Sequence, residues 1–147
     1  MLLTTLQFGE LTVEEQEIFT FHQGIPGFED NLRYMFIQPD AESAFFFLQS
    51  VDDGDIALVV TNPFMFFPDY DFEIPEGVIT EMEIESTDDV AVWSVVTVNK
   101  NIQDTSVNLL APIIVNVNTR VGKQVILHNS SYHAKHKIAP SDTSEAK

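Results

Sequence analysis

Apolar residues in this chain come in short runs, and within and between those runs they alternate with polar ones. They do not recur every third or fourth position as an amphipathic helix requires. The runs are rich in β-branched and aromatic residues and are bounded by Gly, Pro, Asn and Asp, the pattern of an all-β protein. Leu2 to Phe8 is predicted as the first strand. Gln16 to Phe21 follows, with Ile18 and Thr20 on one face and Phe19 and Phe21 on the other. Gly24-Ile25-Pro26-Gly27 reads as a turn, because Pro fixes φ and Gly permits a positive one. Leu32 to Ile37 and Ala44 to Gln49 are the next two strands, parted by Gln38-Pro39-Asp40. Val51-Asp52-Asp53-Gly54-Asp55 makes a tight hairpin connection. Ile56 to Thr61 is nearly all apolar, which predicts burial on both faces.

Asn62-Pro63 ends that strand, and an aromatic run, Phe64 to Phe67, is closed by Pro68. Asp69, Asp71 and Glu73 then alternate with Tyr70, Phe72 and Ile74, predicting a half-exposed strand. Pro75-Glu76-Gly77 leads into one or two helical turns over Val78 to Ile84. Asp88-Asp89 is a turn before Val90 to Val98, the strongest strand signal in the chain. Asn99 to Asp104 is turn-like. Ser106 to Leu110 and Ile113 to Val117 flank Ala111-Pro112, where a proline predicts a sheet edge or a bulge. Asn118 to Gly122 is a hairpin loop, and Lys123 to His128 is the last predicted strand. The expected architecture is an all-β single domain over residues 1–139. It is an antiparallel sandwich or partly open barrel of about nine or ten short strands with little helix. Residues 140–147 are polar, lack aromatic residues and are expected to be a disordered tail.

Composition sharpens this picture. The 147 residues suffice to bury a core, and no cysteine is present to cross-link it. The first residues, MLLTTLQFGE, lack the basic start and the long apolar run of a signal peptide, and no run is long enough to span a bilayer. A cytoplasmic protein is expected. Charge is strongly segregated. Met1 to Asn99 carries twenty acidic side chains and one basic one, Arg33, whereas Lys100 to Lys147 carries six basic and three acidic residues. Bare nucleic acid and anionic membranes are poor partners for such a chain, since phosphate contacts need clustered Lys and Arg. A basic protein is a good one, although acidity also serves solubility.

Most site chemistry is missing. No Gly-rich loop is present to cradle phosphate, and no Gly-x-Ser-x-Gly elbow. His128, His133 and His136 have no metal-motif spacing. Asp52, Asp53 and Asp55 around Gly54 resemble a calcium loop without its bidentate Glu. Acidic side chains are too abundant for a carboxylate pair to signal hydrolysis. No enzyme activity, metal or cofactor is expected. Phe64, Phe66 and Phe67, set between two prolines, are the candidates for exposed binding chemistry, with core burial as the competing fate. Strand alternation would put Phe64 and Phe66 on one face and Met65 and Phe67 on the other. Aromatic rings and acidic loops also leave open a calcium- or carbohydrate-binding β-sandwich.

Taken in order, several fragments resemble the FliW family of bacterial flagellar assembly factors. They are Phe21-x-x-Gly24-Ile25-Pro26-Gly27-Phe28-Glu29, Phe47-Leu48-Gln49-Ser50, Asn62-Pro63-Phe64, Asp69-Tyr70-x-Phe72 with Ile74-Pro75, Val107-Asn108-Leu109-Leu110-Ala111-Pro112-Ile113-Ile114-Val115-Asn116, and Arg120-x-Gly122-Lys123-Gln124-Val125-Ile126-Leu127. The likeness runs from about Leu6 to His136; Asn62 stands where Asp is the more usual residue of the pattern. A monomer when free is expected, and the resemblance implies a small cytoplasmic β protein without catalytic activity that binds two partners. One is CsrA, the dimeric RNA-binding repressor of flagellin translation; the other is flagellin before export. A groove lined by Phe rings is expected to take up flagellin's terminal helices, with Phe64, Phe66 and Phe67 as anchors and Asn62 and Asn108 as polar neighbours.

Overall fold

The computed structural model describes residues 1–128 and 130–138. The expected tail, 140–147, lies outside them. Eleven strands occur: β1 (Leu2–Thr5), β2 (Gly9–Thr12), β3 (Phe19–Thr20), β4 (Arg33–Ile37), β5 (Phe45–Ser50), β6 (Ala57–Thr61), β7 (Val90–Thr97), β8 (Ser106–Val107), β9 (Ile113–Asn116), β10 (Val121–Gln124) and β11 (His136–Lys137). Among the described residues the one α-helix, α1 (Glu76–Glu81), is short.

β1 and β2 form a separate hairpin, and the other nine strands share one sheet. That sheet curls back on itself because β7 also pairs with β9, Val90 opposite Asn116 through Trp93 opposite Ile113. The ring β7-β6-β5-β4-β3-β10-β9 is therefore a barrel. Its weakest seam is the parallel join of β3 to β10, held by the single register pair Val121 with Thr20. β8 and β11 extend the ladder from the far end of β7.

Alternation decides which side chains fill the barrel. Tyr34 on β4, Leu48 on β5, Val60 on β6, and Ile113 and Val115 on β9 are buried inside with Phe21 and Ile25. Phe36, Phe46, Leu58, Trp93 and Val95, each two residues from a neighbour in that set or in line with it, pack against the same interior. The outward faces are apolar too, and three separate covers bury them. The β1–β2 hairpin places Leu3 and Val13 over Met35 and Val51. Helix α1 sets Val78 and Met82 on Ile114 and Val125. The segment after β6 brings Tyr70, with Phe67 and Phe72 beside it, onto Val96, Val107, Leu109 and Leu127. Phe45-Phe46-Phe47-Leu48 has no polar face because neither side of β5 meets water freely.

Several elements differ from expectation for physical reasons. The first strand ends at Thr5, and Leu6 to Phe8 turn the chain into β2. Over Gln16 to Phe21, Glu15–Glu17 is a 3-10 turn in which the Glu17 carboxylate accepts from the Glu14 amide. Only Phe19–Thr20 joins the sheet, although Ile18 and Phe21 point to opposite cores as alternation requires. Asp69 to Ile74 keeps its alternating burial but has no partner strand. The last strands are β10, shorter than Lys123 to His128 suggests and shifted toward the N-terminus, and β11. Pro112 does mark a bulge. Three residues back along β7, from Val96 to Trp93, correspond to six along the partner, from Val107 to Ile113. Asn108 holds the surplus chain, its Oδ1 accepting from the amides of Leu110 and Ala111, each at 3.0 Å.

Candidate functional site

The aromatic run after β6 is a 3-10 turn, Pro63–Met65, and not a strand. Pro63 suits the first position, where no amide is needed, and Asn62 caps it, its Oδ1 accepting from the Phe64 amide at 2.9 Å. The turn breaks the alternation expected for Phe64 to Phe67. Phe66 turns onto β5 and stacks on Phe45 with ring centroids 5.8 Å apart. Phe67 packs into the outer core and meets His136 edge-on. Phe64 leans on Tyr70 and stays 40% exposed, and Met65 beside it is 62% exposed. One of the three rings is thus presented to solvent and two are structural.

Phe64 stands at the mouth of a groove of about 650 Å³. Phe72, Ile74, Ile79, Ile84, Val90 and Val92 line it with apolar surface, and Asp71, Glu73 and Glu76 add carboxylates. The lining comes from three directions: the extended segment after Tyr70, the exposed side of α1 and the outward face of β7. Tyr70 fixes that segment. Its hydroxyl donates to the Leu109 carbonyl at 2.7 Å, and burial, with Tyr132 adjoining, pushes its ionisation far up. At the C-terminal end of α1, Asn116 donates to the Met82 carbonyl at 2.8 Å, while its Oδ1 accepts from Asn118 and Thr119. Lys123 meets Glu81 at 2.9 Å.

Of the five residues expected to form the site, Asn62, Phe64, Phe66 and Phe67 share one turn, and Phe64 alone lines the groove. Asn62 and Asn108 spend their oxygens on backbone amides, and neither lines the groove. The lining from Phe72 to Val92 was missed. Its signal lay in the alternation of Asp71 and Glu73 with Phe72 and Ile74, followed by an apolar-faced helical turn; the segment reads as a strand only while its partner is assumed.

Among the described residues, no cluster of three His, Cys, Asp or Glu is placed to hold a metal. Asp52 accepts from the amides of Leu32 and Arg33 and from the Arg33 guanidinium at 2.9 Å. Burial opposes its charge, yet these bonds outweigh burial and hold the carboxyl below its usual range. Asp53 accepts from the Asp55 amide. His136 accepts from the His133 amide at 2.8 Å, and burial, then the charge of His133, lowers its proton affinity. Among the described residues, no helix is long and apolar enough to cross a membrane.

Comparison with known proteins agrees with this architecture. The profile of the FliW protein family matches residues 2–138. A flagellar assembly factor FliW of Alkaliphilus metalliredigens is 46% identical over 139 residues, covering 94% of this chain and 86% of that protein. One from Bacillus subtilis is 37% identical over 138 residues, covering 94% and 96%. The crystal structure of a flagellar assembly factor FliW superposes with a TM-score of 0.90 at 36% identity, covering 95% of this chain and 98% of that one. With the family profile matching residues 2–138 and these two relatives 46% and 37% identical over 94% of it, the chain belongs to the FliW family.

Proposed function

We propose that this chain is a non-catalytic partner switch in the cytosol, taking up flagellin before export and, when free of it, CsrA. The observation that carries this reading is the groove beside Phe64, with an apolar floor and three carboxylates on its lining. Flagellin's terminal segments form a coiled coil only in the filament, so before assembly they expose apolar stripes. A helix laid in an apolar groove buries such a stripe. Phe64 and Met65 supply the exposed anchors, and the firmly packed Phe66 and Phe67 hold their turn in place.

The charge distribution supports the second half of the switch. CsrA holds RNA phosphates with basic side chains, and a partner with nineteen net negative charges over Met1 to Asn99 raises the cost of RNA approach. Flagellin in excess occupies the factor, leaves CsrA free and shuts down its own synthesis; export reverses this. The test is a three-component titration. CsrA bound to a labelled flagellin leader RNA is mixed with this protein, and RNA is expected to be released. Added flagellin is expected to restore the CsrA–RNA complex. RNA binding indifferent to this protein at tens of micromolar defeats the reading.

A further inference from the structure

A second groove, of about 620 Å³, lies on the other side of the segment that walls the Phe64 groove. Residues 71–76 form one wall, and residues 126–128 with 130–132 form the other. We infer that this slot receives an extended segment of a partner polypeptide, with basic and apolar residues in alternation, which adds to the 71–76 wall as a strand.

The backbone is the first reason. Residues 70–75 run without a turn or bend and alternate exposed with covered side chains, as a strand does, yet they belong to no ladder. The amide of Asp71 is satisfied by the Tyr132 hydroxyl at 3.0 Å. Those of Phe72, Glu73 and Ile74 donate to no acceptor among the described residues, and Glu73 is the one of them that shares the slot-facing edge with Asp71, since alternate amides of an extended chain face opposite edges. The facing wall is similar: Val125 and Leu127 donate to the carbonyls of Pro112 and Leu110, and the intervening Ile126 amide has no acceptor among the described residues. An extended stretch with open amides is a template for strand addition. A helix in the same slot would pair with none of them.

Charge and apolar surface specify the occupant. Asp71, Glu73 and Glu76 all lie on one wall, and none takes part in the three ion pairs of the described residues. The other wall offers Ile126, 54% exposed, with His128, Ser130 and Ser131. A strand with Lys or Arg at alternate positions sets its cations opposite Asp71 and Glu73, a favourable cross-strand pairing. Its other face then covers Phe72, Ile74 and Ile126. The chain's own last nine residues carry two acids and one lysine and do not supply that pattern. This docking mode holds whether or not flagellin and CsrA are the clients, since it follows from the slot alone.

The probe is a capped peptide of alternating Lys and Val, added to the full chain and followed by amide hydrogen exchange and by titration. In the free protein the amides of Phe72, Glu73 and Ile74 should exchange quickly. With peptide, that of Glu73, on the slot-facing edge, should slow by about tenfold or more, as a newly bonded strand amide does. Two further peptides carry N-methyl groups, one on every Lys and one on every Val. Since alternate amides face opposite edges of a strand, at least one of the two should bind about tenfold more weakly. Asp71→Asn with Glu73→Gln, both exposed, should weaken the parent peptide several-fold. No protection at millimolar peptide, or equal binding of all three peptides, overturns the inference; the latter marks ion pairing without strand addition.

Discussion

Phe64, Phe66 and Phe67 lie within four positions of one another, yet one faces solvent and two brace the turn that presents it. Truncation separates these roles. Phe67→Ala should destabilise the fold by about 3 kcal/mol, read as a shift in denaturation midpoint, because it removes a ring from the outer core. Phe64→Ala should cost under about 1 kcal/mol of stability, since much of the ring is already wet, and weaken partner binding by on the order of 2 kcal/mol if the ring is an anchor. Gly54 is fixed by a different constraint. A Cβ there would sit 1.8 Å from the Thr4 carbonyl oxygen, where the Leu6 amide bonds back to the Gly54 carbonyl. Gly54→Ala should therefore push the β1–β2 hairpin off its seat, with a loss of about 2 kcal/mol and faster exchange of the Leu6 amide. Tyr70→Phe leaves the Leu109 carbonyl buried without its donor and should cost about 1–3 kcal/mol.

At the scale of elements, β11 is the strap most exposed to conditions. It is two residues long, and its clasp is His136, which must be neutral to accept from the His133 amide. The folded protein lowers the proton affinity of His136, so this contribution is fully present above the ordinary imidazole pKa of 6.5 and is lost as pH falls through the lower folded value. The Leu109 and Leu110 amides, both donating to the His133 carbonyl, report the strap. Their protection, corrected for intrinsic exchange, should fall as pH drops below about 6.5. Protection flat across that range would mean that His136 does not hold β11. The same elements show what sequence can reveal. β4 to β7 were legible because long apolar runs and turn residues act locally. β3, β8 and β11 are two residues each, and pairing made at a distance, not propensity, creates them. Asp69 to Ile74 has a strand's sequence and lacks a strand only because no backbone pairs with it. The groove was illegible for the same reason: its lining joins that segment, α1 and β7, which only the closure of the barrel and its outer covers bring together.

For the whole molecule, charge and shape act at different ranges. Large apolar side chains are also exposed elsewhere, Leu2, Leu6 and Val98 among them, and what distinguishes Phe64 is that it lines an apolar groove. The net charge of −16 acts over about a Debye length, roughly 8 Å in physiological salt. If that field weakens RNA binding to CsrA, the loss of RNA affinity per bound factor should shrink as salt rises, after allowance for the RNA's own salt slope. A loss independent of salt would instead mean that docking distorts CsrA.

The most direct measurement is calorimetric titration of monomeric flagellin into the wild-type chain and into Phe64→Ala, with the melting point of each protein recorded in the same buffer. The expected result is saturable binding to the wild type, at least about tenfold weaker binding to the variant, and melting points that nearly coincide. Binding unaffected by the loss of the ring, or no binding to the wild type at tens of micromolar, would contradict a polypeptide-gripping groove at Phe64.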